Sequence, residues 1–334
     1  MKTPRKPVVL AIDIGGTKAA AGYVDSAGHI LAENRAPMMV QGRARAGAQS
    51  VFAAIDGLRR KMPGITPACT GIGVAGWVDP ARGVLIGATN IPCWKNFPLV
   101  RTVEKRYGTK ALLANDANAA ALAEATWGAG KGYRNIFYVT LGTGVGTGIV
   151  LDGKVLAGAT GGAGEGGHIT INFKGPLCSC GKRGCIEAYS SGTGIARSAR
   201  EKLESEPHRH SLLHELSGDH AERVTAEMVA KAAQQKDSLA KEVIGEAADH
   251  LAIWMGTVVD LFEPEIFIFG GGVGHLMMNY RPRIREQWEK WAIAPEKRKI
   301  AIVEAKFGAE AGLAGAAALC FAKEKPAPAR KVMN

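Results

Sequence analysis

The apolar positions of the chain begin as two short runs, residues 8–14 and 19–24, separated by glycine and polar positions. A turn at Asp25-Ser26-Ala27-Gly28 precedes a third run over 29–33, so the pattern predicts a three-stranded meander with a glycine turn between its first two strands. Residues 47–61 carry Val51, Ile55 and Leu58 at helical spacing. Residues 72–74 read as a strand running into Ala75-Gly76-Trp77, 99–107 as a helix, 111–114 as a strand and 115–128 as an alanine-rich helix.

The opening pattern then recurs. Residues 135–141 predict a strand, 142–148 a glycine loop, 149–151 a strand, Asp152-Gly153 a turn and 154–156 a further strand. Two copies of one meander, each followed by helices, imply two related α/β domains facing a cleft, rather than one doubly wound sheet. Beyond Gly192 the periodicity is mostly helical to residue 262, interrupted by residues 206–220. Residues 266–269 form a buried-type strand ending in Gly270-Gly271-Gly272, 301–304 another strand, and 309–322 a small-residue helix. From Lys323 onward, Pro326, Pro328 and few apolar residues predict a disordered tail.

Composition narrows the classes. With 46% hydrophobic and 22% charged residues over 334 positions, the chain reads as globular and long enough for two domains. No apolar run approaches the roughly 20 residues that cross a bilayer, and the basic start runs into Asp13 and a glycine turn instead of a signal peptide. A cytoplasmic protein with no membrane partner is expected. Much of the net charge of +11 lies in the two ends, with no long basic run and few interleaved aromatics. That balance favours phosphate ligands in general and gives no case for nucleic acid.

Three glycine motifs suit a nucleotide, the first two of them as phosphate loops. In Asp13-Ile14-Gly15-Gly16-Thr17-Lys18, adjacent glycines let backbone N–H groups approach phosphate oxygens. Thr17 adds a hydroxyl, and Asp13 could hold a metal ion through water. A tight hairpin turn alone would explain the same residues, and the Gly-Lys-Ser/Thr ending of a P-loop is absent. Leu141-Gly142-Thr143-Gly144-Val145-Gly146 is the matching loop of the second copy. A strand follows it, which weakens a dinucleotide reading. Phe269-Gly270-Gly271-Gly272 suits close approach of a purine. The three together point to a nucleotide.

Two further motifs carry other chemistry. Asn115-Asp116-Ala117-Asn118 joins a strand end to a helix start, where either Asn115 or Asp116 could serve as the helix cap. Equally, Asp116 is placed to accept a proton from a hydroxyl during phosphoryl transfer. Cys178, Cys180 and Cys185 crowd into eight residues, whereas Cys69, Cys93 and Cys320 are scattered. With His168 the three thiols make a Cys₃His zinc set that leaves no position for water, so the zinc is expected to be structural. Glu165 and Glu187 flank these ligands, and paired carboxylates suit the hydroxyls of a polyol.

These motifs, in this order from about residue 8 to about residue 320, resemble the ROK family of repressors, open reading frames and kinases. The signature Glu165-x-Gly167-His168 followed by Cys178-x-Cys180-Gly181-x-x-Gly184-Cys185-x-Glu187 carries most of that resemblance. It implies the actin/hexokinase-like (ribonuclease H-like) duplicated two-domain α/β fold with an interdomain cleft. The expected division is 1–118, with helix 309–322 packing back on it, and 119–308, followed by the tail 323–334. It further implies ATP-dependent phosphorylation of a hexose at its 6-hydroxyl, glucose above all, by a homodimer or homotetramer that uses ATP, Mg²⁺ and structural Zn²⁺.

Under the same resemblance Asp116 is the general base. Gly76, Asn90, Asn115, Asp116, Glu165, His168 and Glu187 bind the sugar. Asp13, Gly15, Gly16, Thr17 and Lys18 with Gly142, Thr143 and Gly144 hold the phosphates, and Gly271 and Gly272 face adenosine. Two positions depart from the family: Thr147 replaces a small residue, and Ala75 a proline. The segments around Gly76 and residues 88–99 resemble glucokinases, with fructokinase and N-acetylglucosamine or N-acetylmannosamine kinase as alternatives within the family. A sugar-sensing repressor would need a winged-helix domain ahead of the first loop, for which residues before Gly15 leave no room. The histidines of 206–220 read as a solvated insertion, although His210 and His214 could share a helical face.

Overall fold

A computed structural model describes residues 7–294 and 299–322; the tail expected over 323–334 lies outside the described residues. The first meander forms as expected: β1 (Val9–Ile14), β2 (Lys18–Val24) and β3 (Ile30–Pro37) pair antiparallel, β1 with β2 from Val9↔Val24 to Ile14↔Ala19. Helix α1 (Ala44–Lys61) crosses the sheet, and β4 (Thr70–Val74) joins β1 in parallel, Asp13 facing Gly73. Strand alternation sends Leu10, Ile12 and Ile14 to one face, where they meet Val51, Ile55 and Leu58 of α1 in a fully buried core. A small three-stranded sheet, β5 (Trp77–Asp79), β6 (Val84–Gly87) and β7 (Lys95–Phe97), follows, then helix α2 (Leu99–Tyr107). The small sheet is absent from the sequence reading because its strands are only three or four residues long. Strand β8 (Ala111–Asn115) pairs in parallel with β4 and leads into α3 (Asp116–Trp127), giving the order β3-β2-β1-β4-β8.

The second meander repeats that plan. Strands β9 (Ile136–Leu141), β10 (Val145–Leu151) and β11 (Lys154–Val155) are followed by β12 (Ile266–Gly270) and β13 (Ala301–Glu304), in the order β11-β10-β9-β12-β13. The same 3-2-1-4-5 arrangement therefore occurs twice. Strand β10 begins at Val145, so the glycine loop is shorter than residues 142–148: Gly146 and Gly148 belong to the strand. Gly148 is there for clearance, because a Cβ at that position would collide with the Ala117 carbonyl and Ala121 of α3.

Between β11 and β12 the chain is helical. α4 (Glu187–Ser190), α5 (Gly192–Ser205), α6 (Leu212–Ser217) and α7 (Ala226–Gln234) lead to the long α8 (Ser238–Phe262), and α9 (Gly271–Met278) and α10 (Arg281–Trp288) follow β12. The 206–220 segment contains α6, capped by Ser211, so His210 precedes the helix and shares no helical face with His214. His214 lies 3.7 Å from Asp219, and His220 lies 3.2 Å from Glu222.

The C-terminal helix α11 (Ala311–Phe321) packs on α3, β1 and β4 and covers the other face of the first sheet, burying Val9, Ala11, Ala20 and Val24 against Leu313, Ala316 and Ala317. Among the described residues, one compact unit runs from Pro7 through Tyr138 and takes in Gly148–Gly164 and residues 305–322; the other comprises Val139–Thr147 and Glu165–Glu304. The chain thus divides differently from a single cut at residue 118. Helix α3 stays with the first unit because its alanine face is packed against α11.

Candidate functional site

In the first unit, the ends of three parallel strands carry the polar residues. Asp13 is the last polar position of β1, on the α11 face, and beyond it Gly15 N–H donates to the Lys18 carbonyl at 3.0 Å to close a turn. Gly16 lies against Asn90, close enough that a Cβ would overlap the Asn90 side chain and carbonyl. Thr17, Lys18 and Asn90 are exposed. At the end of β8, Asn115 is the helix cap: its Oδ1 accepts from Ala117 N–H at 2.9 Å and Asn118 N–H at 3.2 Å, and its Nδ2 donates to the Gly76 carbonyl at 3.1 Å. The capping duty therefore falls to Asn115. Asp116 accepts from Ala117 N–H at 2.9 Å through Oδ1.

The electrostatics of the two carboxyls follow from burial. Desolvation, with Asp116 as a like-charged neighbour, pushes Asp13 up to about 6, against an opposing pull from Lys18 and Arg35. Asp116 is also raised by burial, in part offset by its backbone hydrogen bond and by Asn115. A half-buried carboxylate held above its ordinary range is a better proton acceptor than one in water.

In the second unit, Gly142, Thr143 and Gly144 form a tight loop, Gly142 N–H donating to the Gly144 carbonyl at 3.0 Å. The loop is bound to the start of α5: Gly192 N–H reaches the Gly142 carbonyl at 2.7 Å, and the Thr193 hydroxyl reaches the Thr143 carbonyl at 2.8 Å. Gly271 opens α9 directly after β12, beside the Leu141 carbonyl. A cavity of about 550 Å³ opens here, lined by Gly142, Thr143 and Gly272 together with Ala196, Arg200, Ala226, Ala230 and Leu276. Glycine, alanine, Val273 and Leu276 leave room for a flat group, while Thr143, Thr225, Glu227 and Arg200 add polar atoms to the wall. Arg200 is held in place by donating to the Val224 carbonyl at 3.0 and 2.7 Å. The α5 and α7 residues of this cavity escaped the sequence reading, since alanine at helical spacing looks like any packed helix.

A second cavity of about 300 Å³ shares Thr143 and Thr193 with the first and reaches Cys178, Ser179 and Glu187. Here the ligand atoms of His168, Cys178, Cys180 and Cys185 all lie within 4.8 Å of one another. The Cys180 and Cys185 sulfurs are 3.7 Å apart, and Cys178 Sγ is 3.6 Å from His168 Nδ1. A tetrahedral zinc with Zn–S bonds of about 2.3 Å separates its sulfurs by about 3.8 Å, so the donor set fits. The knuckle is made by local bonds, Cys178 N–H to the Lys182 carbonyl and Gly184 N–H to the Pro176 carbonyl, both 2.8 Å. Gly181 and Gly184 supply the positive φ of +87° and +68° that these turns require. Burial, with Cys180 and Cys185 as neighbours, pushes the Cys178 thiol up to about 12, and burial raises Cys185 also. Thiols so crowded ionise together only around a cation, which is the chemistry of a metal knuckle.

Glu187 ties the glycine loop to this knuckle. Its Oε2 accepts from Val145 N–H and its Oε1 from the Ser179 hydroxyl, each at 2.9 Å, and Oε1 stands 4.0 Å from His168 Nδ1. Glu165 is exposed at the start of the short 3₁₀ turn that carries His168. Thr147, which departs from the family pattern, is buried, and its hydroxyl accepts from Gly166 N–H at 2.9 Å. The same turn is held from the other side by Trp254, whose indole donates to the Gly166 carbonyl at 3.0 Å. The structure thus brings together Asp13, Gly15, Gly16, Gly76, Asn90, Asn115 and Asp116 in one unit. In the other it gathers the Gly142 loop, His168, the three cysteines, Glu187 and Gly272.

The comparisons with known proteins cover most of the chain. A family model described as the ROK family matches residues 9–323. A glucokinase of Streptomyces coelicolor is 36% identical over 316 residues, covering 93% of this chain and 97% of that protein. An N-acetylmannosamine kinase of Salmonella typhi is 32% identical over 310 residues, covering 93% and 97%. Among solved structures, a ROK family glucokinase from Streptomyces griseus, in complex with glucose and AMPPNP, superposes with a TM-score of 0.78 at 36% identity, over 93% of this chain and 98% of that one.

Proposed function

The chain belongs to the ROK family, with its actin/hexokinase-like fold, and on that premise we propose that this hexose kinase transfers the γ-phosphate of ATP to the 6-hydroxyl of glucose. The observation that carries the reading is the state of Asp116. Asn115 takes the capping duty, the Ala117 N–H donates to Asp116 Oδ1, and burial raises the proton affinity of Asp116 against the pull of its hydrogen bonds. Such a carboxylate takes the proton of the attacking sugar hydroxyl. The Gly15-Gly16 and Gly142–Gly144 turns offer backbone N–H groups to the phosphates, and the cavity walled by Ala196, Ala230 and Leu276 receives adenine. Asp13 would hold, through water, the magnesium that accompanies ATP and neutralises phosphate charge.

Asn90, Gly76, Glu165, His168 and Glu187 are assigned to the sugar. His168, Cys178, Cys180 and Cys185 would hold a zinc ion whose contribution is structural, fixing the turn that carries Glu165 and His168. With Nδ1 on the metal side, His168 offers Nε2 to a sugar hydroxyl. We assign the protein to the cytoplasm as a homodimer or homotetramer; no described helix is long and apolar enough to cross a membrane.

Glucose is favoured because the glucokinase relative is 36% identical and the N-acetylmannosamine kinase 32%. That margin keeps the N-acetylated sugar as the second reading. An ADP-release assay with Mg-ATP against glucose, fructose, mannose, N-acetylglucosamine and N-acetylmannosamine separates them. The highest kcat/KM is expected for glucose. A higher value for N-acetylmannosamine replaces the substrate, and no turnover of any sugar by folded, zinc-loaded protein removes the assignment.

A further inference from the structure

Cys69 and Cys320 are 251 positions apart, yet their sulfurs stand 2.7 Å from each other. Their meeting follows from how α11 lies on β4. The chain just before and along β4 presents Cys69, Gly71 and Gly73 on one face, and α11 presents Cys320, Ala316 and Gly312 on one side. A step of two residues along a strand advances about 6.7 Å and a step of four along a helix about 6 Å, so the two rows stay in register as they run antiparallel. At the middle rung a Cβ on Gly71 would collide with the Ala316 carbonyl, and at the top rung a Cβ on Gly73 would lie 3.9 Å from the Gly312 carbonyl. With backbones this close, the bottom rung brings two side chains of one bond's reach into contact, and both are thiols. Both cysteines are only part-buried, and neither belongs to the metal-type cluster or to the phosphate loops.

We propose that Cys69 and Cys320 are an oxidation site that closes to a reversible disulfide and clamps α11 onto β4. The oxidant is hydrogen peroxide. The Cys69 thiolate attacks one peroxide oxygen, the O–O bond breaks, and Cys69 becomes a sulfenic acid while hydroxide leaves. Cys320 sulfur then attacks the Cys69 sulfur; the S–S bond forms, the S–O bond breaks, and water leaves with the Cys320 proton. Two thiols are oxidised and one peroxide is reduced to two waters. Cys69 is the attacking group because the Cys320 S–H donates to it, with Lys110 adding positive charge nearby, holding Cys69 down at about 7. The clamp acts on the helix whose first turn lies over Asp13: a Cβ on Gly312 would overlap the Asp13 carboxylate.

Full-length zinc-loaded protein treated with stoichiometric hydrogen peroxide, then alkylated and digested without reductant, tests this. A peptide cross-linked between Cys69 and Cys320 is expected, lost on adding dithiothreitol. With it, the thermal midpoint should rise by about 5 °C or more, because the bond closes a very long loop. Cys69→Ser and Cys320→Ser should each abolish the cross-link and the shift while keeping the turnover of the reduced enzyme. In Cys320→Ser, Cys69 should be trapped by dimedone as sulfenic acid. Recovery of Cys69 and Cys320 as free thiols while Cys178, Cys180 and Cys185 oxidise and release zinc would overturn the proposal. So would a cross-link that leaves the midpoint unchanged.

Discussion

Asp13 and Asp116 stand at the ends of β1 and β8, strands held in register by the same intervening strand, β4, whereas His168, Cys178, Cys180 and Cys185 stand on turns with almost no regular structure between them. The first centre is placed by backbone ladders and a helix cap, so its geometry is fixed by the folding of the sheet itself. The second is placed by two glycine turns, Glu187, Thr147 and Trp254, and the crowding of its thiols asks for a cation. A sheet-end site tolerates charges raised in proton affinity because the surrounding fold is strong enough to hold them. A knuckle site instead gains its order from what it binds.

The largest effect should come from the proposed base of the first centre. Asp116→Asn is expected to lower kcat by about 10³-fold with KM for ATP and sugar changed only a few-fold. Steady-state kinetics on the purified variant measure it, and near-wild-type turnover would end the assignment of Asp116. Next, Cys185→Ser removes a buried member of the second centre. It should lose the proposed zinc, measured by elemental analysis, and lower the thermal midpoint by about 5–10 °C. Amide exchange of β1 and β4 should stay as slow as in the wild type; equal loosening of both centres would show that they do not differ in what orders them.

A third test turns on the sign of a pKa. A carboxyl at about 6 in the native chain, against 3.8 ordinarily, binds more protons folded than unfolded between those values. Stability therefore falls as pH rises from 3.8 to about 6, and the cost is fully present above that. Asp13→Asn should accordingly stabilise the protein at pH 8 by on the order of 3 kcal/mol, and by nothing below pH 4, while impairing catalysis. Urea denaturation at both pH values measures it, and a variant less stable at pH 8 would refute the burial argument. The smallest effect belongs to Thr147→Val, which strands the Gly166 N–H and should cost about 1–2 kcal/mol with a modest rise in sugar KM.

Much of both centres was legible in the sequence because their chemistry is carried by neighbours along the chain: Gly15 with Gly16, Asn115 with Asp116, Cys178 with Cys180 and Cys185. The duplicated meander was legible for a similar reason, since each copy is local. The end of the second glycine loop was not, because Gly146 and Gly148 look like loop residues. Gly148 is a strand residue made small by the approach of α3. Nor was the cavity proposed for adenine, whose Ala196, Arg200 and Ala230 are ordinary helix residues until α5 and α7 are placed side by side. The meeting of Cys69 with Cys320 is invisible for the plainest reason, that nothing in a sequence records a contact across 251 positions.

The interleaved order of the two units has a consequence for how the protein is made. The strands of the first sheet leave the ribosome early, but α11, which covers their second face, is synthesised only after all of the second unit. Until then Val9, Ala11, Ala20 and Val24 lack the cover that Leu313, Ala316 and Ala317 provide. The nascent chain thus carries an uncapped apolar sheet face through most of translation, a window in which chaperone binding or slow codons near the C-terminus should govern the yield of active protein.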